Sequence, residues 1–366
     1  MLKKNEIISA LEKLAPPAYQ ESYDNSGLLI GNKQAEWTGV LIALDVTEKT
    51  ILEAIDRNCN MVVAHHPIIF KGLKKLTGSN YIERTVELAI KNDIAIYAIH
   101  TNLDSITNGV NWKIAQRLGL QNIKILAPKT QALQKLTTFV PSESADKVLE
   151  ALFAAGAGQI GDYKNCSFTT TGTGSFLPSM DANPVIGTRG HLEKVNETRI
   201  EVLLPSHLSH RIINTLQLHH PYETVAYYLY DLQNKNQEVG SGAIGEFKNG
   251  QTADQFLEHL KTSMNLKTFK FTKPIGTEIK KIAICGGSGS FLLKNAIQAS
   301  ADVFITSDFK YHEFFDAEDK IMICDIGHYE SEVFTKDLLH DYLSGIFSNF
   351  ALCLSETNTN PVLHYP

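Results

Sequence analysis

From residue 39 onward, short apolar runs alternate with stretches in which apolar residues return every three or four positions. "GVLIALDVT" (39–47), "NMVVAHHP" (60–67) and "DIAIYAIHTNLD" (93–104) are β-branched runs of strand length, separated by the helix-period segments "EKTILEAIDRNC" and "YIERTVELAIKN". Continuous apolar strands that alternate with helices indicate βαβ units on a mainly parallel sheet. The pattern returns near the C-terminus in "KKIAICGGSGSFLLKNAIQASA", "DVFITSD" and "KIMICDIGHYESEVFTKDLLHDYL". Ahead of all this, "MLKKNEIISALEKLAPPAY" breaks its apolar residues with charges. It reads as an amphipathic helix and not as a signal peptide.

Between these two regions the texture differs. After Lys129 come a strand-like run and a helix, then alternating Gly, Thr and Ser positions that suggest antiparallel strands and turns. "TRIEVLLP" (198–205) predicts a strand, and "PYETVAYYLYDL" (221–232) has the period of a helix. The expected organisation is an α/β protein with a mainly parallel sheet system in two outer regions, 1–128 and 239–366. An α+β domain is inserted at 129–238.

The length of 366 residues agrees with more than one domain, and 43% apolar residues suffice for real cores. A net charge of −6 without any basic run argues against nucleic acid as a partner. No apolar run reaches the roughly 18 residues of a membrane span. Cys59, Cys166, Cys285, Cys324 and Cys353 are odd in number and scattered, so neither a disulfide framework nor a CxxC zinc site is expected. That usage suits a reducing cytoplasm.

The chemistry gathers at strand ends, where open parallel sheets place functional groups. "VVAHH" delivers His65 and His66, "IYAIHTNLD" delivers His100 and Asp104, "FITSD" ends in Asp308, and "ICDIGHYESE" delivers His328 and Glu332. The i, i+4 spacing of His328 and Glu332 sets both on one helical face. His65, His66, Asp104, His328 and Glu332 are one or two ligands too many for a single zinc, so a dinuclear centre about 3.5–4 Å across is expected. Imidazole and carboxylate donors suit two divalent ions, with Zn placed first and Mn, Fe or Co compatible. His100 reads either as a neighbour that orients a ligand or as a pocket residue. His219 and His220 of "LHHPYE" sit at the expected start of a helix and read as structural.

"ESYDNSGLLIG", "VVAHHPIIFKGLKKL", "IYAIHTNLDSITNGVN", "AICGGSGSF", "DVFITSDFKYHEFFDA" and "DIGHYESE" together resemble the ordered motifs of the NIF-three-like family. Its members are often labelled GTP cyclohydrolase I type 2 homologues. The resemblance implies a toroidal homohexamer with dinuclear metal centres. It assigns His66 and Asp104 to one ion, His65 and His328 to the other, and Glu332 to both. It also implies that the insertion is PII/CutA-like, as in the longer bacterial members. The chain departs from the common family pattern at Tyr23, Asn108-Gly109 and Ser307, none of them an expected ligand.

Two functions follow as expectations. The first is a metal-dependent hydrolase acting on a nucleotide or phosphoester; the second is a non-enzymatic metal-binding or regulatory scaffold. Asp24, Asn25, Lys310, Tyr311 and His312 are candidates for the pocket mouth. "CGGSGSF" (285–291) either cradles an anion on its backbone N–H groups or makes a tight turn where only small residues fit. It is neither GxGxxG nor a P-loop. Cys285 and Cys324 read as small buried hydrophobes.

Overall fold

The strands Val40–Ala43, Met61–Ala64 and Ala95–Ala98 are buried at every position, so each needs cover on both faces. They pair in parallel, with Leu352–Leu354 added in parallel on one side and Gly27–Ile30 antiparallel on the other. A second sheet orders Lys270–Phe271, Met322–Asp325, Val303–Ser307, Ile279–Ser288, Asn236–Gln251 and Gln121–Lys129. Its central pairs are parallel and its flanking pairs, to Lys270–Phe271 and Asn236–Gln251, are antiparallel. The fold is therefore mixed α/β with several sheets, less parallel than its sequence suggests. The antiparallel members lack the continuous double-sided apolar run that marks a parallel strand: Gly27–Ile30 is mostly half-buried and Lys270–Phe271 is exposed.

This computed structural model describes residues 3–365. Two units divide them, one built from the residues up to Ala127 together with those from Val239 onward, the other from Pro128–Glu238. In the first unit a single apolar cluster draws on both sheets, with Tyr97 and Ile99 from one and Ile282, Ile305 and Met322 from the other. Phe256 and Leu260, from the helix Ala253–Ser263, join it together with Ile7 and Leu11 of the amphipathic helix Lys4–Leu14. The strand ends of both sheets are thereby fixed against one rigid core.

The loop after His66 is tied by one carboxylate. Glu83 accepts the N–H groups of Thr77 (2.8 Å) and Ser79 (3.2 Å), both of their hydroxyls, and the side-chain amide of Asn80. Those bonds, the Thr77 amide foremost, hold its pKa down at about 2. A carboxylate depressed on folding stabilises fully above its unfolded value of about 4.3, and that stability is lost as pH falls toward 2. Thermal unfolding at stepped pH should show wild type above Glu83→Gln at pH 7, with the gap closing below about pH 4.

The second unit runs strand Leu133–Pro141, helix Ala145–Ala154, strands Ser167–Phe176 and Glu193–Pro205, helix Ser209–His219 and strand Tyr227–Asp231. In space the strands lie in the order Ser167–Phe176, Glu193–Pro205, Leu133–Pro141, Tyr227–Asp231, all antiparallel. That is the β-α-β-β-α-β arrangement of ferredoxin-like units. Leu136, Ile200 and Val202 of the sheet pack on Val148, Leu152, Ile212 and Leu216 of the helices as its own core.

One expectation fails here. "PYETVAYYLYDL" is not helical: Tyr227–Asp231 pairs with Leu133–Pro141, and its tyrosines suit a pleated, half-buried strand. The helix lies earlier, so His219 ends it and His220 caps it. His220 is buried, with its ring on the Phe139 carbonyl (2.9 Å) and the Tyr222 amide (3.1 Å). Among the described residues no helix is long and apolar enough to cross a membrane.

Candidate metal centre

His65 and His66 follow the strand Met61–Ala64, and their amides continue its ladder onto the carbonyls of Ala43 and Leu44. Asp104 closes the short helix Thr101–Asp104 that follows Ala95–Ala98. His328 and Glu332 bound a five-residue helix after Met322–Asp325, entered through Gly327 at φ +92°. The first unit thus brings all five expected ligands to one place.

Each imidazole has its Nδ1 engaged. His65 Nδ1 donates to the Ile99 carbonyl (2.8 Å), which fixes the lone pair of the neutral ring on Nε2. His66 Nδ1 meets Asp45 (2.7 Å), His328 Nδ1 meets Asp308 (2.7 Å), and His100 Nδ1 meets Asp24 (2.8 Å). A carboxylate or carbonyl behind an imidazole is the arrangement that orients metal-ligating histidines.

The facing atoms sort into two sets, each on one oxygen of Glu332. Oε2 lies 2.9 Å from His66 Nε2 and 3.1 Å from His328 Nε2, and those nitrogens are 3.4 Å apart. Oε1 lies 3.8 Å from His65 Nε2, which is 3.6 Å from Asp104 Oδ1. Donors around one tetrahedral zinc stand about 3.3 Å apart, given bonds of about 2.0–2.1 Å. His65 Nε2 and Asp104 Oδ1 are buried with no hydrogen-bond partner. Lone pairs facing lone pairs inside a protein call for a cation, so these residues fit a metal. This geometry groups His66 with His328 and His65 with Asp104, a different division from the one the resemblance implies.

The charges of these groups depend strongly on one another. Burial opposes charge on His66, but Asp45 and Glu332 outweigh it and lift its pKa to about 9. Asp308 and Glu332 overcome burial in the same way and lift His328 to about 11. Burial, reinforced by the charge of Glu332, pushes Asp104 up to about 7. Glu332 itself stays well below the usual carboxylate range: burial opposes its charge, and the three surrounding imidazoles prevail.

Nearby residues divide between roles. His100 stands with His65 and His66, one ring nitrogen of each lying within 4.8 Å of the others. Asp24, held by Ser26 and by the Thr101 amide, orients His100 from behind. Asn25 is turned away onto the Ile69 carbonyl. Lys310, Tyr311 and His312 are exposed and line neither of the cavities that reach the cluster. One of these, of about 780 Å³, opens on His66 and His328; the other, of about 490 Å³, opens on Asp104, His100 and Glu332.

The turn "CGGSGSF" is not an anion cradle at its glycine pair. The Gly286 amide already donates to Asn111 and the Gly287 amide to Ser331, both at 2.9 Å. Its small residues leave room instead: a Cβ on Gly287 would stand 2.3 Å from Glu332 Oε1. The sequence marks Asp308 as a strand-end group without giving it a role, and it does not single out Asp45 as a site group. Both end apolar runs as ligands do, yet here they hold imidazoles.

Fold and site together define a mixed α/β protein with a partly buried imidazole–carboxylate cluster at its strand ends. The chain belongs to the Duf34/NIF3 (NGG1p interacting factor 3) family, which it matches over residues 2–361. It is 38% identical over 360 residues to a protein of Halalkalibacterium halodurans called GTP cyclohydrolase 1 type 2 homolog, covering 97% of each chain. A Bacillus subtilis protein of the same name is 36% identical over 365 residues, again with 97% of each chain covered. Among solved structures, the Bacillus cereus protein related to NIF3 superposes with a TM-score of 0.87 at 38% identity. That match covers 100% of this chain and 99% of the other.

Proposed function

We propose that the chain binds two divalent transition-metal ions, zinc first among them, and works as a metal-dependent hydrolase on a nucleotide or another phosphoester. The observation that carries this reading is the division of imidazole and carboxylate donors between the two oxygens of Glu332. Bound there, two ions would polarise the bond under attack and make a water acidic near neutral pH. Asp104 and Glu332 supply the negative charge that holds them. His65, His66 and His328 present oriented Nε2 atoms, and the strand ends keep the donors from rearranging. Tyr23 and Phe291, both exposed, line the cavity that reaches Asp104 and offer flat faces to a purine ring. The name carried by the relatives points toward GTP.

Purified protein should contain two ions per chain and hydrolyse some member of a nucleotide and phosphoester panel. Turnover should vanish with a chelator and return with metal. Full metal occupancy without turnover across the panel would favour the scaffold reading instead. That second reading draws on the ferredoxin-like unit with its separate core, which suits a PII/CutA-like sensing or assembly module. With either reading we propose a cytoplasmic, toroidal homohexamer. Replacing residues 128–238 with a Gly/Ser linker should leave metal content at the wild-type value, because all five ligands lie outside that unit. A folded, soluble deletion protein without metal would refute the division.

A further inference from the structure

The C-terminal segment "SETNTNP" (355–361) has no role in the ligand set, yet it runs to the edge of the larger cavity. It is anchored before it arrives there. The Ser355 amide donates to the Ile42 carbonyl (2.8 Å), and Lys336 Nζ donates to the Ser355 carbonyl (2.9 Å). Glu53 accepts the hydroxyls of Ser355 and Thr357 and the amide of Glu356. These bonds hold the segment to the first sheet and to the helices Glu48–Asp56 and Thr335–Ile346 without any help from the residues that follow.

The next contacts fall on the metal centre. Asp45 uses Oδ1 for His66 Nδ1, and its other oxygen, Oδ2, accepts the Thr359 hydroxyl. With both oxygens engaged, this partly exposed carboxylate cannot rotate away from the ring. Asn360 Nδ2 donates to Glu330 Oε1 (2.8 Å), inside the short helix that carries His328 and Glu332. Two consecutive residues therefore address the two sides that share Glu332 Oε2: Thr359 acts on the His66 side, and Asn360 acts on the His328 side. Among the described residues nothing comparable reaches His65, which rests on a backbone carbonyl.

We infer that Thr359 is a positioning residue for the ion held by His66 and His328, acting through Asp45 as part of a C-terminal strap that joins the two sides of that site. The inference rests on the dinuclear reading. Partners that orient a metal-ligating imidazole are worth about 10–100-fold in metal affinity. The strap accordingly tunes one ion and leaves the other alone.

Cobalt(II) titration of the full-length, metal-stripped protein tests this, with the visible absorption of the bound ions as readout. Wild type should take two ions. Thr359→Val should loosen one of them by up to about 10-fold, the low end of what a direct imidazole partner is worth, and alter only its share of the spectrum. Thr359→Ser, which restores the hydroxyl, should recover both affinity and spectrum, and a purely structural loss would not give that pattern. Two ions bound equally well by wild type and Thr359→Val would overturn the strap alone. Equal weakening of both ions, together with a lower melting temperature of the metal-free protein, would overturn it as well. A wild type that takes fewer than two ions would fail the dinuclear reading and this inference with it.

Discussion

Glu332→Gln should reduce bound metal from two ions per chain to near none. The side chain keeps its size, but one oxygen becomes an amide that cannot serve a cation. The buried negative charge that balances His65, His66 and His328 disappears too. Each set of donors loses the atom that the two sets have in common. Groups that merely orient a ligand are worth about 10–100-fold, so loss of a shared ligand should exceed that for both ions. Asp104→Asn should behave differently: its carboxylate pairs with His65 and not with the His66–His328 set, so one ion should leave and the His66–His328 ion should stay. Elemental analysis of the purified variants measures both. Unchanged stoichiometry in Glu332→Gln would rule out the bridging role.

Gly287→Ala should cost the metals more than the fold. Gly287 has φ +65°, where an L-residue is strained by about 1–2 kcal/mol. Its new Cβ would also press on the Glu332 carboxylate at 2.3 Å, and that carboxylate is the movable partner. Displacing it by even a few tenths of an ångström spoils both donor sets at once. Gly276 provides the control. Its φ is +75°, and a Cβ there would meet nothing within 4 Å, so Gly276→Ala carries the backbone strain without the collision. Denaturant unfolding should show similar losses for the two variants, about 1–2 kcal/mol each. Metal content should fall only in Gly287→Ala. Equal metal in both would mean that Glu332 has room to move.

The strand ends were legible because burial on both faces leaves a long apolar run, and a polar residue that terminates such a run stands out. His65 and His66 follow that rule directly, and Asp104, His328 and Glu332 lie a few residues beyond such an end. Asp45 and Asp308 follow it equally well, and this explains why sequence alone does not sort ligands from the groups behind them. A carboxylate at a strand end looks the same whether it faces an ion or an imidazole. The division of donors between the oxygens of Glu332 depends on the folded positions of the side chains, which no spacing encodes. Thr359 gave no signal at all, since its partner Asp45 lies some 300 residues away in the chain. Tyr227–Asp231 was misread because tyrosine and leucine satisfy a helical period and a strand period over so short a stretch. The half-exposed antiparallel edges were missed because they bury too little to form an apolar run.

Anomalous diffraction at the zinc edge, from crystals of the zinc-loaded protein, tests the central claim most directly. Two peaks are expected about 3.5–4 Å apart with the Glu332 carboxylate between them. One peak should lie against His66 and His328, and the other against His65 and Asp104. A single peak, or two peaks that Glu332 does not touch, would contradict the account.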